Sequence, residues 1–195
     1  VASRGLGDVY KRQRLDRVSD SIPGFSETGT TWLGHRRGSR HYLRIQLAML
    51  LAGIATFAQL YAPQAVLPQI AQAFEVSLAE SSLMVSMGTG GLALATVPWS
   101  LVADRIGRKR TITIAVTAAT VLGIIVTLMP TFELALAARL LEGFALGGVP
   151  AVAMAYINEE IHQLDAAAAV GTFIAGNTVG GLSGRIISVS YTHLT

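Results

Sequence analysis

The chain of 195 residues contains no cysteine. That excludes disulfide frameworks, thiolate nucleophiles and Cys-based metal sites. Charge is also scarce. Only 14% of residues are charged and 51% are hydrophobic, whereas a soluble domain carries about 25% charged residues. Together with a mean hydropathy of +0.50, the deficit points to a membrane protein. His35, His41 and His162 lack metal-ligand spacing. No glycine-rich phosphate loop follows a strand, and no Ser-His-Asp set is suggested. No enzyme activity, cofactor or metal is expected.

Neither end reads as native. Back-translated, Asp8 to Gln13 can be written GAT GTG TAT AAG AGA CAG. Val189 to the start of Leu194 can be written GTC TCT TAT ACA CAT C, the reverse complement of most of that string. Unrelated peptides have no reason to share this relation. A transposase end used in preparing sequencing libraries would produce it. Residues 1–13 and 189–195 are therefore set aside as translated adaptor. Arg4, Lys11, Arg12 and Asp8 leave with them, so the net charge falls from +3 to +1. The basic balance then gives no ground for a nucleic-acid partner. The remainder reads as an internal piece of a gene, because its first methionine, Met49, lies inside an apolar run.

Residues 14–44 are polar and rich in Gly, Ser, Thr and Arg, as in a mostly disordered cytoplasmic tail. Five apolar runs follow, at about residues 45–67, 81–103, 111–129, 132–157 and 166–188. The first has 23 residues without a charge, enough for a helix to cross the roughly 30 Å hydrocarbon layer. Arg36, Arg37, Arg40 and Arg44 precede it and predict a cytoplasmic amino terminus. One loop disagrees with that charge rule. The stretch carrying Glu159, Glu160 and Asp165 falls on the cytoplasmic side without a Lys or Arg.

Between the second and third runs stands Ser100-Leu-Val-Ala-Asp104-Arg105-Ile-Gly107-Arg108-Lys109-Arg110. A topogenic role explains Arg108, Lys109 and Arg110 but not Asp104 or Gly107 at these spacings. In the fourth run, Arg139 and Glu142 lie three apart on one helical face and are predicted to pair. The alternative is that Arg139 snorkels to the surface. Gly143 follows them. Gly176, Gly180 and Gly184 form a stripe, with Gly181 beside it, that lets helices approach closely. Gln59, Tyr61 and Gln64 are candidates for a solute path. Asn177 faces either that path or a neighbouring helix. One of Glu159 and Glu160 is expected to pair with Arg105 or Arg108.

The Asp104 segment resembles the loop between helices two and three of Major Facilitator Superfamily transporters, Gly-x-x-x-Asp-Arg/Lys-x-Gly-x-Arg/Lys-Arg/Lys. It departs only at Ser100, which replaces the first glycine. Arg139-Leu-Leu-Glu142-Gly143 resembles that family's helix-four motif. The glycines of the fifth run resemble the helix-five antiporter motif, except that Arg185 stands where proline follows the last glycine. Segments around Tyr156–His162 and Gly176–Arg185 are similar to a bacterial YnfM-type, arabinose-efflux-permease-like branch.

The resemblance implies an all-α integral membrane protein, the first five helices of a twelve-helix fold. It implies proton-coupled efflux of a small organic solute by alternating access, from a multi-pass monomer in the bacterial inner membrane. Asp104, Arg105, Gly107, Arg108, Lys109 and Arg110 would form the conformational switch. Arg139, Glu142, Gln59 and Asn177 would serve proton coupling or the cavity. Gly143, Gly176, Gly180, Gly181 and Gly184 would pack helices. The bilayer, a small molecule and protons are the expected partners. A non-transporting membrane receptor or scaffold of the same fold is the alternative.

Overall fold

A computed structural model describes residues 33–192, and the side chains of residues 33–183. Residues 1–13 lie outside the described residues, as does most of the 14–44 tail. The fifth helix is described through Thr192 and so enters the 189–195 stretch.

Ser39 starts helix α1 (Arg40–Tyr61) by accepting the Tyr42 N–H at 3.1 Å. The helix therefore begins before the apolar run and takes Arg40 and Arg44 into its first turns. It stops ahead of Pro63. The chain then makes a 3-10 segment (Ala62–Val66) and a short helix α2 (Leu67–Ala73). A Ser77–Glu80 capping box opens α3 (Leu78–Ser81), which leads into α4 (Leu83–Ile106). The stretch between the first two apolar runs is thus largely helical. Helix α5 (Arg108–Thr127) follows. The fourth run is α6 (Phe132–Leu146) and α7 (Gly148–Glu160). It breaks where Pro150 has no N–H for the Leu146 carbonyl. Helix α8 (Gln163–Thr192) is the fifth run.

Among the described residues, four segments are long and apolar enough to cross a membrane: Arg40–Ala73, Leu78–Ile106, Arg108–Thr127 and Phe132–Glu160. Helix α8 has the length, at 30 residues, but Gly, Thr, Asn and Ser dilute its apolarity.

The Asp104 segment is not a loop. Asp104 and Arg105 close α4, Arg108 to Arg110 open α5, and only Gly107 lies between. Its φ of 89° is a backbone shape that side chains resist.

Helices pair through glycines. Helix α1 lies along α8, and α4 along α6. A Cβ at Gly176 would sit 2.7 Å from the Leu50 carbonyl oxygen, and one at Gly180 would collide with that of Ile54. A Cβ at Gly143 would meet the Gly88 carbonyl. Gly181 has more room, 3.4 Å from the Tyr61 ring. Gly184 lies beyond the residues whose side chains are described. At the Asp104 end, Tyr42, Ile157, Ile161 and Phe173 form a buried cluster across α1, α7 and α8.

A strap crosses that end. His35 donates its N–H to the Glu160 carbonyl at 2.8 Å and accepts the His162 N–H at 3.1 Å. Gly34, at φ 79°, makes room, because a Cβ there would stand 2.6 Å from His162 N. Arg36 meets Asp165 at 3.3 Å, and the Arg37 N–H donates to the same carboxylate at 2.9 Å.

Gly180→Leu is expected to separate α1 from α8 and destabilise the bundle by about 1–3 kcal/mol, the usual cost of overpacking. Thermal unfolding in detergent checks this. Gly181→Ala, where only ordinary contact is at stake, should leave the midpoint nearly unchanged.

Candidate functional site

The backbone of α1 creates the site. In a continuous helix the Gln59 carbonyl would accept the N–H four residues on, but residue 63 is proline and has none. The Leu60 carbonyl belongs to the same unravelling end. An unpaired carbonyl in an apolar interior costs several kcal/mol or about that. Arg139, on α6, supplies donors at this helix end. Its Nη2 donates to the Gln59 carbonyl at 3.1 Å and to the Leu60 carbonyl, and its Nε donates to the Met84 carbonyl at 3.2 Å. A cation at a helix C-terminus is also favoured by the helix dipole. The snorkelling alternative is therefore not what occurs: Arg139 is 2% exposed and turned inward.

Glu142 balances that charge. Arg139 Nη1 donates to Glu142 Oε2 at 2.7 Å, and Glu142 is 1% exposed. Gln59 Nε2 donates to Glu142 Oε1 and, at 2.8 Å, to the Ala119 carbonyl on α5. Gln59 thus faces inward, toward the α5–α6 contact.

Two glycines make room for these groups. A Cβ at Gly88 would come 3.1 Å from Arg139 Nε. One at Gly123 would run into Gln59 Nε2 and stand 3.1 Å from Glu142 Oε1. Gly123 and the role of Pro63 are absent from the residues singled out by sequence. The signal for Pro63 was available: a proline four residues after a polar residue inside a membrane helix. A cavity of about 560 Å³ opens onto Glu142 and Arg139, walled by Pro63, Phe74, Thr120 and Gly123 among others.

Asn177 lies elsewhere. With Phe57, Tyr61, Thr178 and Gly181 it borders a separate hollow of about 300 Å³ between α1 and α8. Its Oδ1 is buried against Gly53 and has no hydrogen-bond partner among the described residues. Asn177 and the Arg139–Glu142 pair are not brought together.

At the other end, Arg108 Nη2 meets Glu159 Oε1 at 2.9 Å, linking the start of α5 to the end of α7. Asp104, Arg105, Lys109 and Arg110 are exposed. Ser100 is exposed and its hydroxyl donates to the Val97 carbonyl at 2.7 Å within its own helix. Glu160 lies 4.0 Å from His35. The acidic stretch that lacks its own cations therefore faces Arg108, His35 and Arg36. No group of His, Asp and Glu among the described residues is arranged to hold a metal ion.

The Major Facilitator Superfamily model matches residues 49–193. The inner membrane transport protein YnfM of Escherichia coli is 40% identical over 157 residues, which are 80% of this chain and 38% of that protein. An uncharacterized transporter of Buchnera aphidicola from Schizaphis graminum is 37% identical, over 78% of this chain and 37% of its own length. The uncharacterized MFS-type transporter YybF of Bacillus subtilis is 35% identical, over 78% of this chain and 38% of its own. The chain thus spans under two-fifths of the curated relatives it matches. No solved structure matches it. With four segments among the described residues long and apolar enough to cross a membrane, and a family match over most of its length, the chain belongs to the Major Facilitator Superfamily, a family of membrane transporters rather than enzymes.

Proposed function

We propose that this chain supplies helices one to five of a proton-coupled secondary transporter that exports a small organic solute by alternating access. The observation that carries the reading is the buried Arg139–Glu142 pair on the wall of a cavity. A guanidinium stays protonated in proteins, and this one commits donors to three backbone carbonyls. Arg139 is the fixed charge and Glu142 is the group that takes and releases the proton. Neutralising Glu142 leaves a buried cation with only carbonyl partners. Breaking such a pair costs about 3–5 kcal/mol, enough to shift a balance between two conformations of similar energy.

The Asp104 segment is the conformational switch in this reading. Gly107 joins two helix ends with one residue, and Arg108 ties them to α7 through Glu159. The cations of Arg108 to Arg110 oppose the dipole at the start of α5. Helix stability therefore does not account for them, whereas contact with acidic groups or with an anionic bilayer surface does. The cationic stretch is on the cytoplasmic side of a bacterial inner membrane, with the amino terminus inside. The hollow bordered by Tyr61 and Asn177 is the part of the solute path that these helices contribute. The native chain occupies about residues 14–188 and acts as a monomer once its remaining helices are present. It needs no nucleic acid.

Two experiments test this in the full-length protein reconstituted into liposomes. Glu142→Gln is expected to abolish solute accumulation driven by a proton gradient while leaving solute–solute counterflow measurable. Gradient-driven accumulation at the original rate would overturn the coupling role. For the switch, Arg108→Glu and Glu159→Arg are each expected to slow transport, and the exchanged pair should recover part of it. The coupling is modest, about 0.2–1 kcal/mol, because the pair is partly exposed. Additive losses in the double variant would remove Glu159 from the mechanism.

A further inference from the structure

We propose that Gln59 is a positioning residue for the proton-carrying carboxyl of Glu142, and that Gly123 is the seat that admits it. The inference rests on the coupling role given to Glu142 above. Gln59 touches both members of the buried pair. Its backbone carbonyl accepts from Arg139 Nη2, and its side-chain amide donates to Glu142 Oε1. The amide nitrogen has two N–H groups, and both are used, the second on the Ala119 carbonyl at 2.8 Å. The orientation of the amide is fixed by its surroundings. Turned over, it would aim its oxygen at the Ala119 carbonyl and, while Glu142 is charged, at a carboxylate, neither of which donates. Gln59 therefore holds the carboxylate without competing for its proton.

The arrangement spans three helices. Gln59 comes from α1, Ala119 from α5 and Glu142 from α6. Without the amide, Oε1 would face the cavity of about 560 Å³ with only Arg139 anchoring the other oxygen. A carboxylate held at one oxygen pivots, whereas one held at both presents a fixed lone pair to an incoming proton. Gly123 matters because a Cβ there would overlap Gln59 Nε2. The same geometry offers a substitute. That Cβ would stand 3.1 Å from Glu142 Oε1, so a serine hydroxyl at position 123 reaches the carboxylate once the Gln59 amide is gone. The hydrogen-bond donor can come from α1 or from α5, but not from both at once.

The test uses the full-length transporter in liposomes and the ratio of proton-driven flux to counterflow flux, normalised to folded protein. Gln59→Ala and Gly123→Ser are each expected to lower the ratio about tenfold or more, as for loss of a hydrogen bond to a charged group. The double variant Gln59→Ala with Gly123→Ser should restore most of it. Gln59→Ala with Gly123→Ala, which fills space without a donor, should not. Should Gln59→Ala fail to fold, Gln59→Met keeps the bulk, lacks the donors and is expected to show the same loss. An unchanged ratio in Gln59→Ala or Gln59→Met, or equal rescue by serine and alanine, overturns the positioning role. Proton-driven flux surviving in Glu142→Gln instead overturns the coupling role, so the two failures are distinct.

Discussion

The absence of an N–H at Pro63 is the constraint from which the buried site follows. Inside a bilayer, water is not there to complete a broken helix ladder, so the freed carbonyls need donors from the protein. Lysine offers three donors from one point, whereas arginine offers five from a planar fork. Arg139 uses that fork to reach Gln59 and Leu60 on one helix, Met84 on a second and Glu142 on its own. Once a guanidinium is buried for this purpose, a carboxylate must accompany it, because an isolated charge at this depth is costly. A structural repair thus brings a titratable group into the membrane interior. The burial of Glu142 beside Arg139 follows from how helix α1 ends.

Close helix approach is the second condition. The fork reaches three helices only because backbones meet closely, and glycines allow it at Gly88 against Gly143 and at Gly123 beside Gln59. On the opposite flank, Gly176 and Gly180 bring α8 against α1. Without a hydrophobic drive between helices in lipid, dispersion contacts of this kind supply much of the association energy. Any side chain large enough to part α4 from α6 would also lengthen the hydrogen bonds of Arg139. Packing and charge pairing are therefore one system, and substitutions in either are felt in the other.

How much of this was legible in the sequence depended on the kind of signal. Length and apolarity located five runs, four of which lie in segments long and apolar enough to cross a membrane, and the i,i+3 spacing put Arg139 and Glu142 on one face, because a helix determines which of its own residues are neighbours. The fifth run was read from apolarity like the others, and its Gly, Thr, Asn and Ser content makes it weaker by composition alone. Partners on other helices were a different matter. Gln59 was named as a cavity candidate and lines the cavity beside Glu142, but its bonds to Glu142 and Ala119 were not legible, since periodicity cannot say which neighbour a face meets. Gly123 carried no motif. The Asp104 segment read as a loop because its charges interrupt the apolar runs, yet charges at helix ends need not end the helix, and Gly107 alone turns the chain. The carbonyls that bind Arg139 were invisible for a simpler reason: every residue has one.

The acidic stretch after α7 shows why charge counts along a chain mislead when charges are paired in space. Glu159, Glu160 and Asp165 have no cation within their own loop, but Arg108 lies 2.9 Å from Glu159 and Arg36 lies 3.3 Å from Asp165. Each pair is exposed enough to contribute little on its own. Their value is geometric, because they act together with the two backbone hydrogen bonds between His35 and the Glu160–His162 segment. The strap before α1, the turn between α7 and α8 and the start of α5 are held to one another at the Asp104 end. At the opposite end, Arg139 ties α1 to α4 and α6. Bonds between different helices thus fasten the bundle at both ends, near the Asp104 segment and at the Arg139–Glu142 pair.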